Sequence, residues 1–191
     1  NVAGYNCSYL PIDNPRSFDE LMYILLNGTG VGFSVERDYV KQLPTVADSF
    51  HETESTIVVS DSKIGWASAF RELISLLYAG KVPKCDLTRI RPGGVRRSAL
   101  ISLSNVTDNR MSNAKNGEWY LTNGQRALAN NSAVYSEKPD FDTYVGEMKR
   151  LYESKSGERG IFSRVAAKNV AARNGRRDVD HKFGTNPCAE I

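Results

Sequence analysis

The sequence predicts an α/β fold. Three observations carry that prediction. Apolar residues at helical spacing alternate along the chain with short extended runs. The helical segments close on glycine, the residue that most readily takes the turn ending a helix. The 191 residues, 40% hydrophobic and 25% charged, can bury a sizeable core as one large domain or as part of a bigger one.

In chain order, residues 5–10 form a short mixed segment that suits a strand. Cys7 within it fits the core as readily as a redox role. Residues 17–20, Ser-Phe-Asp-Glu, match a capping box. Phe18, Leu21, Met22, Leu25 and Leu26 follow at helical spacing, and Gly28 closes the helix. Glycines at 28, 30 and 32 then lead into a strand at 33–35. Helix, glycines, strand is the reverse of the dinucleotide-binding order, so that function is not implied. Residues 44–55 are polar and predict a loop, and 56–59 a short apolar strand. Asp61 or Ser62 can cap the next helix. Its apolar positions are Trp66, Phe70, Leu73, Ile74, Leu77 and Tyr78, which predict core packing, and Gly80 ends it.

Residues 86–91 are a further strand candidate, stopped by Pro92. Residues 98–104 alternate strictly and predict a half-buried strand. A short helix is expected at 108–114, turns at 117–124, and a loop then a strand over 125–135. The helix at 140–154 has an apolar stripe of Phe141, Tyr144, Val145, Met148, Leu151 and Tyr152. The helix at 163–173 carries small residues and ends at Gly175.

Charge and cysteine usage exclude several functions. The net charge of +3 is too small to argue for nucleic acid. The basic residues between 173 and 182 alternate with Asp178 and Asp180, which suits a solvated face first and phosphate contact second. Cys7, Cys85 and Cys188 make no disulfide framework. No pair has metal-ligand spacing and His51 and His181 stand apart, so no metal site is expected. No apolar run reaches membrane length, and the first residues lack signal-peptide character. A cytoplasmic, reducing compartment is the expectation.

The chemistry concentrates in residues 184–191, Gly-Thr-Asn-Pro-Cys-Ala-Glu-Ile. Pro187 fixes its own φ and biases Asn186 away from the helical region. In an extended segment, alternation puts Asn186, Cys188 and Glu190 on one side. A surface loop around a buried cysteine suits the same residues, and composition does not choose between the two.

The segment Asn186-Pro-Cys-Ala-Glu-Ile191 resembles the finger-loop motif of ribonucleotide reductases, in the form typical of the adenosylcobalamin-dependent class and its triphosphate-using branch. Further matches follow the same order along nearly the whole chain. They are Asn6-Cys-Ser-Tyr-Leu10, the glycine-rich stretch at 27–35, Gly93-Gly-Val-Arg-Arg-Ser-Ala-Leu100, residues 125–135, and Glu153-Ser-Lys-Ser-Gly-Glu-Arg-Gly160. The resemblance implies part of a ten-stranded α/β barrel with the finger loop threaded through it, residues 1–191 being a single partial catalytic domain.

It also implies roles. Cys188 carries a thiyl radical that abstracts the C3′ hydrogen, and the resulting C3′ radical makes the neighbouring C2′–O bond weak. Glu190 takes the 3′-hydroxyl proton as general base. Asn186 holds a sugar oxygen without adding charge. Cys7 is one of two thiols that supply two electrons. Asn6, Gly30, Val31 and Gly32 lie against the substrate. Arg96, Arg97, Ser98 and Ala99 belong to a loop, about 96–105, linking a deoxynucleotide effector to base choice. The implied cofactor is adenosylcobalamin, and the reductant a thioredoxin-type protein or small dithiol. Neither nucleic acid nor membrane is an implied partner; the remainder of a reductase is.

The sequence departs from the family at three points. A family segment is missing near 92–93. The chain stops at 191, before the partner thiol of Cys7, leaving Cys85 as the only spare cysteine. No cobalamin ligand is visible. The expectation is that this polypeptide alone does not turn over. The rival reading is a nucleotide-binding regulatory or structural α/β domain without catalysis. A cysteine hydrolase lacks a histidine partner.

Overall fold

The structure is a computed structural model that describes residues 4–92, 100–155 and 157–187. Its centre is a five-stranded, all-parallel sheet in the order β1-β2-β5-β6-β7. The strands are β1 (Cys7–Pro11), β2 (Gly30–Ser34), β5 (Leu100–Asn105), β6 (Ala129–Tyr135) and β7 (Gly160–Ser163). A separate parallel pair, β3 (His51–Val58) and β4 (Lys81–Asp86), is joined by α3 (Lys63–Tyr78). The other helices are α1 (Arg16–Leu26), α2 (Arg37–Val40), α4 (Asn109–Ser112), α5 (Trp119–Thr122), α6 (Phe141–Ser154) and α7 (Arg164–Asn174). Among the described residues, no helix is long and apolar enough to cross a membrane.

A parallel sheet must be covered on both faces, and its middle strands bury every side chain. In β5, Ser102, Leu103 and Ser104 are all buried. The expected half-buried strand is therefore covered on both sides. Its serines find partners: Ser102 Oγ donates to Asn131 Oδ1 at 2.9 Å, and Ser104 Oγ accepts from Arg159 at 3.1 Å. Val31, Leu103 and Ala133 are the fully enclosed apolar residues of the sheet.

Several local expectations fail for identifiable reasons. Helix α1 begins at Arg16, with Pro15 before it and no side-chain cap, so residues 17–20 are not a capping box. Proline is already shaped for a helix start, and Asn14 Oδ1 accepts the Arg16 N–H at 2.9 Å. Asp19 is instead buried and held by Arg71 through Nε at 3.0 Å and Nη2 at 2.6 Å, tying α1 to α3. Strand β3 starts at His51, inside the expected loop, because pairing with β4 overrides its polar composition. The strand expected at 86–91 is a turn, with Asp86 Oδ1 accepting the Thr88 N–H at 2.9 Å. The α3 residues expected in the core are half-buried, and Ala67 is its buried residue. The short strand β7 and the single-turn helices α2 and α5 were not expected.

Helix α6 matches its expected range, but its stripe is not a core stripe. Phe141 and Tyr152 are 78% and 86% exposed, while Glu147 is buried. An ion pair, Glu147 to Arg159, ties the helix to the sheet, and of the stripe Met148 and Leu151 are half-buried. Its start is firm: Asp140 accepts the Thr143 N–H at 2.8 Å and the Thr143 hydroxyl at 2.9 Å. Asp140→Ala is expected to cost about 1 kcal/mol, read as a fall of a few degrees in thermal unfolding. Helix α7 is capped as its sequence suggests, by Ser163 at the start and Gly175 (φ 61°) at the end.

Candidate active site

Parallel pairing sets which side chains share a face. Cys7 pairs with Gly30, Tyr9 with Gly32, and Pro11 with Ser34. These six residues lie on one face of the β1–β2 edge, and Val31 lies on the other. Val31 is fully buried, so its side chain belongs to the core. The entry to both strands is fixed by backbone: Gly30 N–H donates to Asn6 O at 3.0 Å, and the Thr29 hydroxyl to Tyr5 O at 2.8 Å.

The chain returns to this face at its far end. A Cβ at Gly32 would overlap the Thr185 carbonyl oxygen and meet Asn186 Cα at 3.0 Å. A Cβ at Gly184 would fall within the Tyr9 ring. The backbone of 184–186 therefore crosses the Tyr9–Gly32 pair, and both glycines are required by that crossing. The space left by Gly32 is taken by the protein's own loop stem. The stem runs from the Ser34 end of β2, where Arg164 holds Phe183, to Gly32. Asn186 is half-buried at the end of this described path, and its carbonyl accepts from the Thr185 hydroxyl at 3.2 Å.

A buried ion pair secures the base of the stem. Arg164, the first residue of α7, donates from Nη1 to Glu36 Oε1 at 2.8 Å and from Nη2 to Glu36 Oε2 at 2.7 Å. Its Nε donates to the Phe183 carbonyl at 2.8 Å, and Nη1 also reaches Ser136 Oγ at 3.2 Å. Ser34 Oγ donates to Glu36 Oε2 at 2.8 Å. Burial by itself would raise the Glu36 carboxyl. The hydrogen bonds from Arg164 and Ser34, with the Arg164 and Lys182 charges, outweigh it and hold the group below its usual range. Burial, then the neighbouring Tyr39, push the Tyr9 phenol upward. Its buried hydroxyl lies near Tyr39 and Ser34 without reaching hydrogen-bond geometry.

A depressed folded-state pKa gives stability that is complete above the unfolded value, about 4.3 for Glu. That stability is lost as pH falls through the folded value. Thermal unfolding of the wild type is thus expected to weaken below about pH 4, while Glu36→Gln shows a flatter acid limb.

The other expected site residues divide as follows. Cys7 is half-buried and disulfide-bonded. Cys85 is a free, exposed thiol on β4, outside the main sheet, so it does not serve as the partner of Cys7. Cys188, Glu190, Arg96, Arg97, Ser98 and Ala99 lie outside the described residues. His51 is exposed on β3, and His181 is exposed and edge-on to Phe183 at 5.2 Å. No cluster of metal-ligating side chains occurs among the described residues. Lys182 pairs with Asp38 at 3.3 Å and lies over Tyr39, as a solvated face would have it.

Glu36 and Arg164 were not anticipated. One signal was available: an arginine at the first position of a helix opposes the helix dipole and needs a nearby anion. The segment at 153–160 also acquires a structural meaning. Glu158 takes Lys115 Nζ at 2.7 Å and the Asn131 N–H at 2.7 Å. Arg159 donates to Glu147 Oε2 at 2.9 Å and to the Val106 carbonyl at 2.8 Å.

No protein-family model matches the chain. A curated relative is the adenosylcobalamin-dependent ribonucleoside-triphosphate reductase of Lacticaseibacillus paracasei, 25% identical over 285 aligned positions. The alignment covers 98% of this chain and 37% of the relative. The likeness is to the class II ribonucleotide reductases. A solved B12-dependent class II ribonucleotide reductase superposes with a TM-score of 0.70 at 19% identity, over 98% of this chain and 41% of that one. The α/β fold with its parallel sheet is thus similar to the class II fold. The chain spans about two fifths of the length of these ribonucleotide reductases. The aligned positions outnumber its 191 residues, so the relative holds residues within the matched span that have no counterpart here.

Proposed function

We propose that the chain forms part of the ten-stranded barrel of a class II ribonucleotide reductase and carries the radical side of its active site. The single observation that supports this most is the path of the loop stem. It brings Asn186 across Gly32, on the sheet face that also bears Cys7 and Gly30. The Cys7 sulfur, which must be reduced to a thiol before it can act, then shares one wall of a site with the glycine lane and the amide.

In this reading the substrate is a ribonucleoside triphosphate, after the name of the curated relative. Cys188 abstracts the C3′ hydrogen and returns it after reduction. Glu190 accepts the 3′-hydroxyl proton. Asn186 holds a ribose oxygen, and Asn6 and Gly30 offer backbone to the nucleoside; Gly32 instead seats the loop stem, and Val31 is confined to its peptide groups. The 2′-hydroxyl leaves as water. Two thiols, one of them Cys7, supply two electrons and two protons and become a disulfide. That disulfide needs a thioredoxin-type or small dithiol reductant before the next cycle. Residues 96–99 belong to the effector loop for a deoxynucleotide.

Adenosylcobalamin, when bound, supplies the starting radical. Neither histidine is disposed to ligate cobalt: one sits on β3, the other lies edge-on to Phe183. No described residue is given to a cobalamin seat in this proposal, and the seat is assigned to the remainder of a reductase. A segment lost near 92–93 and a continuation past 191 belong to the same proposal, as does a cytoplasmic setting.

The test is product analysis under anaerobic conditions with adenosylcobalamin, a dithiol and each ribonucleoside di- or triphosphate. The chain completed by the downstream part of the relative is expected to form 2′-deoxynucleotide. Cys188→Ser or Cys7→Ser should abolish it, and the chain alone should give none. Nucleotide binding without product in the completed protein would favour the non-catalytic alternative.

A further inference from the structure

We propose that Arg164 is the positioning residue for the stem that presents Asn186, acting through the Phe183 carbonyl, with Glu36 fixing the direction of its guanidinium. What the stem does rests on the reductase reading; how it is held does not.

The argument is geometric. A guanidinium is a rigid planar fork, so pairing both Nη atoms with one carboxylate fixes where Nε points. Here Glu36 takes both Nη atoms, and Nε lands on Phe183 O at 2.8 Å. Phe183 is buried, and the next residue already crosses the Tyr9 ring. Phe183 is thus the fixed point from which the stem sets out, three residues before Asn186. The placement does not serve helix α7 itself, because a cation at its first position opposes the dipole. Ser34 donates to the same carboxylate and holds it square to the arginine. Ser136, just beyond β6, accepts from Nη1, so the fork is referenced to two strand ends as well as to the stem.

The test compares Arg164→Lys with Arg164→Gln by amide hydrogen exchange on the 191-residue chain without nucleotide. Lysine keeps the charge beside Glu36, but its single nitrogen cannot hold the carboxylate and Phe183 O together. Both variants are expected to raise exchange at 183–186 by about ten- to a hundred-fold, the loss of a charge-assisted bond. In Arg164→Lys, amides of β2 and α3 should exchange as in the wild type. If Arg164→Gln does not fold, Arg164→Lys carries the test by itself. Stem exchange unchanged in Arg164→Lys would overturn the proposal. So would a rise spread evenly over the sheet, which would mark general loosening. Failure to form deoxynucleotide would count against the reductase reading and leave this result standing.

Discussion

Arg159→Met is expected to destabilise the protein by about 3 kcal/mol, the lower end of the cost of stranding a buried charge. Arg159 is 6% exposed and holds Glu147 at 2.9 Å, Ser104 at 3.1 Å and the Val106 carbonyl at 2.8 Å. Methionine fills much of the same space and keeps none of these bonds. Glu147, itself 5% exposed, would retain only Arg150, whose side chain is 51% exposed. That remaining partner is why the lower figure is expected. For a chain of this size, thermal unfolding should fall by roughly 6–12 °C. Replacing both charges, Arg159→Met with Glu147→Leu, should recover much of the loss, because two apolar residues leave no orphan charge. A double variant no more stable than the single one would contradict this account of how α6 is fastened to the sheet.

Gly32→Val should displace the loop stem. The added Cβ would overlap the Thr185 carbonyl, a backbone group that cannot rotate away as a side chain can. Strand β2 is held on both sides, by β1 and by β5, so the stem is the part that yields. Overpacking of this kind costs about 1–3 kcal/mol. Amide exchange at 183–186 should rise while the rest of β2 stays protected. In a completed reductase, a displacement near 1 Å should lower turnover by about a hundred-fold. A suitable control is Gly146→Ala in α6, where an added Cβ meets nothing within 4 Å. It should leave the stem unchanged and slightly favour the helix.

Much of this was legible in the sequence, and the failures have physical causes. Helices α3, α6 and α7 announced themselves through spacing and caps, because those signals are local. The polar first half of β3 and the brief strand β7 did not, since composition marks neither and their pairing partners lie elsewhere in the chain; the apolar end of β3 was expected as the strand at 56–59. The α6 stripe misled because apolar spacing states what a helix could bury, whereas here an ion pair fastens it. The tail motif suggested chemistry through its resemblance to the reductase finger loop, since alternation alone left a surface loop equally open. Its seat was not legible: Gly32 meets Thr185, and Gly184 meets Tyr9, only after the chain has closed on itself, and Glu36 finds Arg164 from 128 residues away. The glycine-rich stretch was expected to admit a nucleoside. At Gly32, the described structure shows the loop stem occupying that space first.

The most direct test of the central claim is an amide chemical-shift titration of the chain with a ribonucleoside triphosphate. The account predicts changes at Asn6, Cys7, Gly30 and Asn186, with His51 and Cys85 on the separate β3–β4 pair unmoved. Changes centred on that pair or on the α1–α3 surface, with the Cys7 face silent at saturating nucleotide, would contradict it.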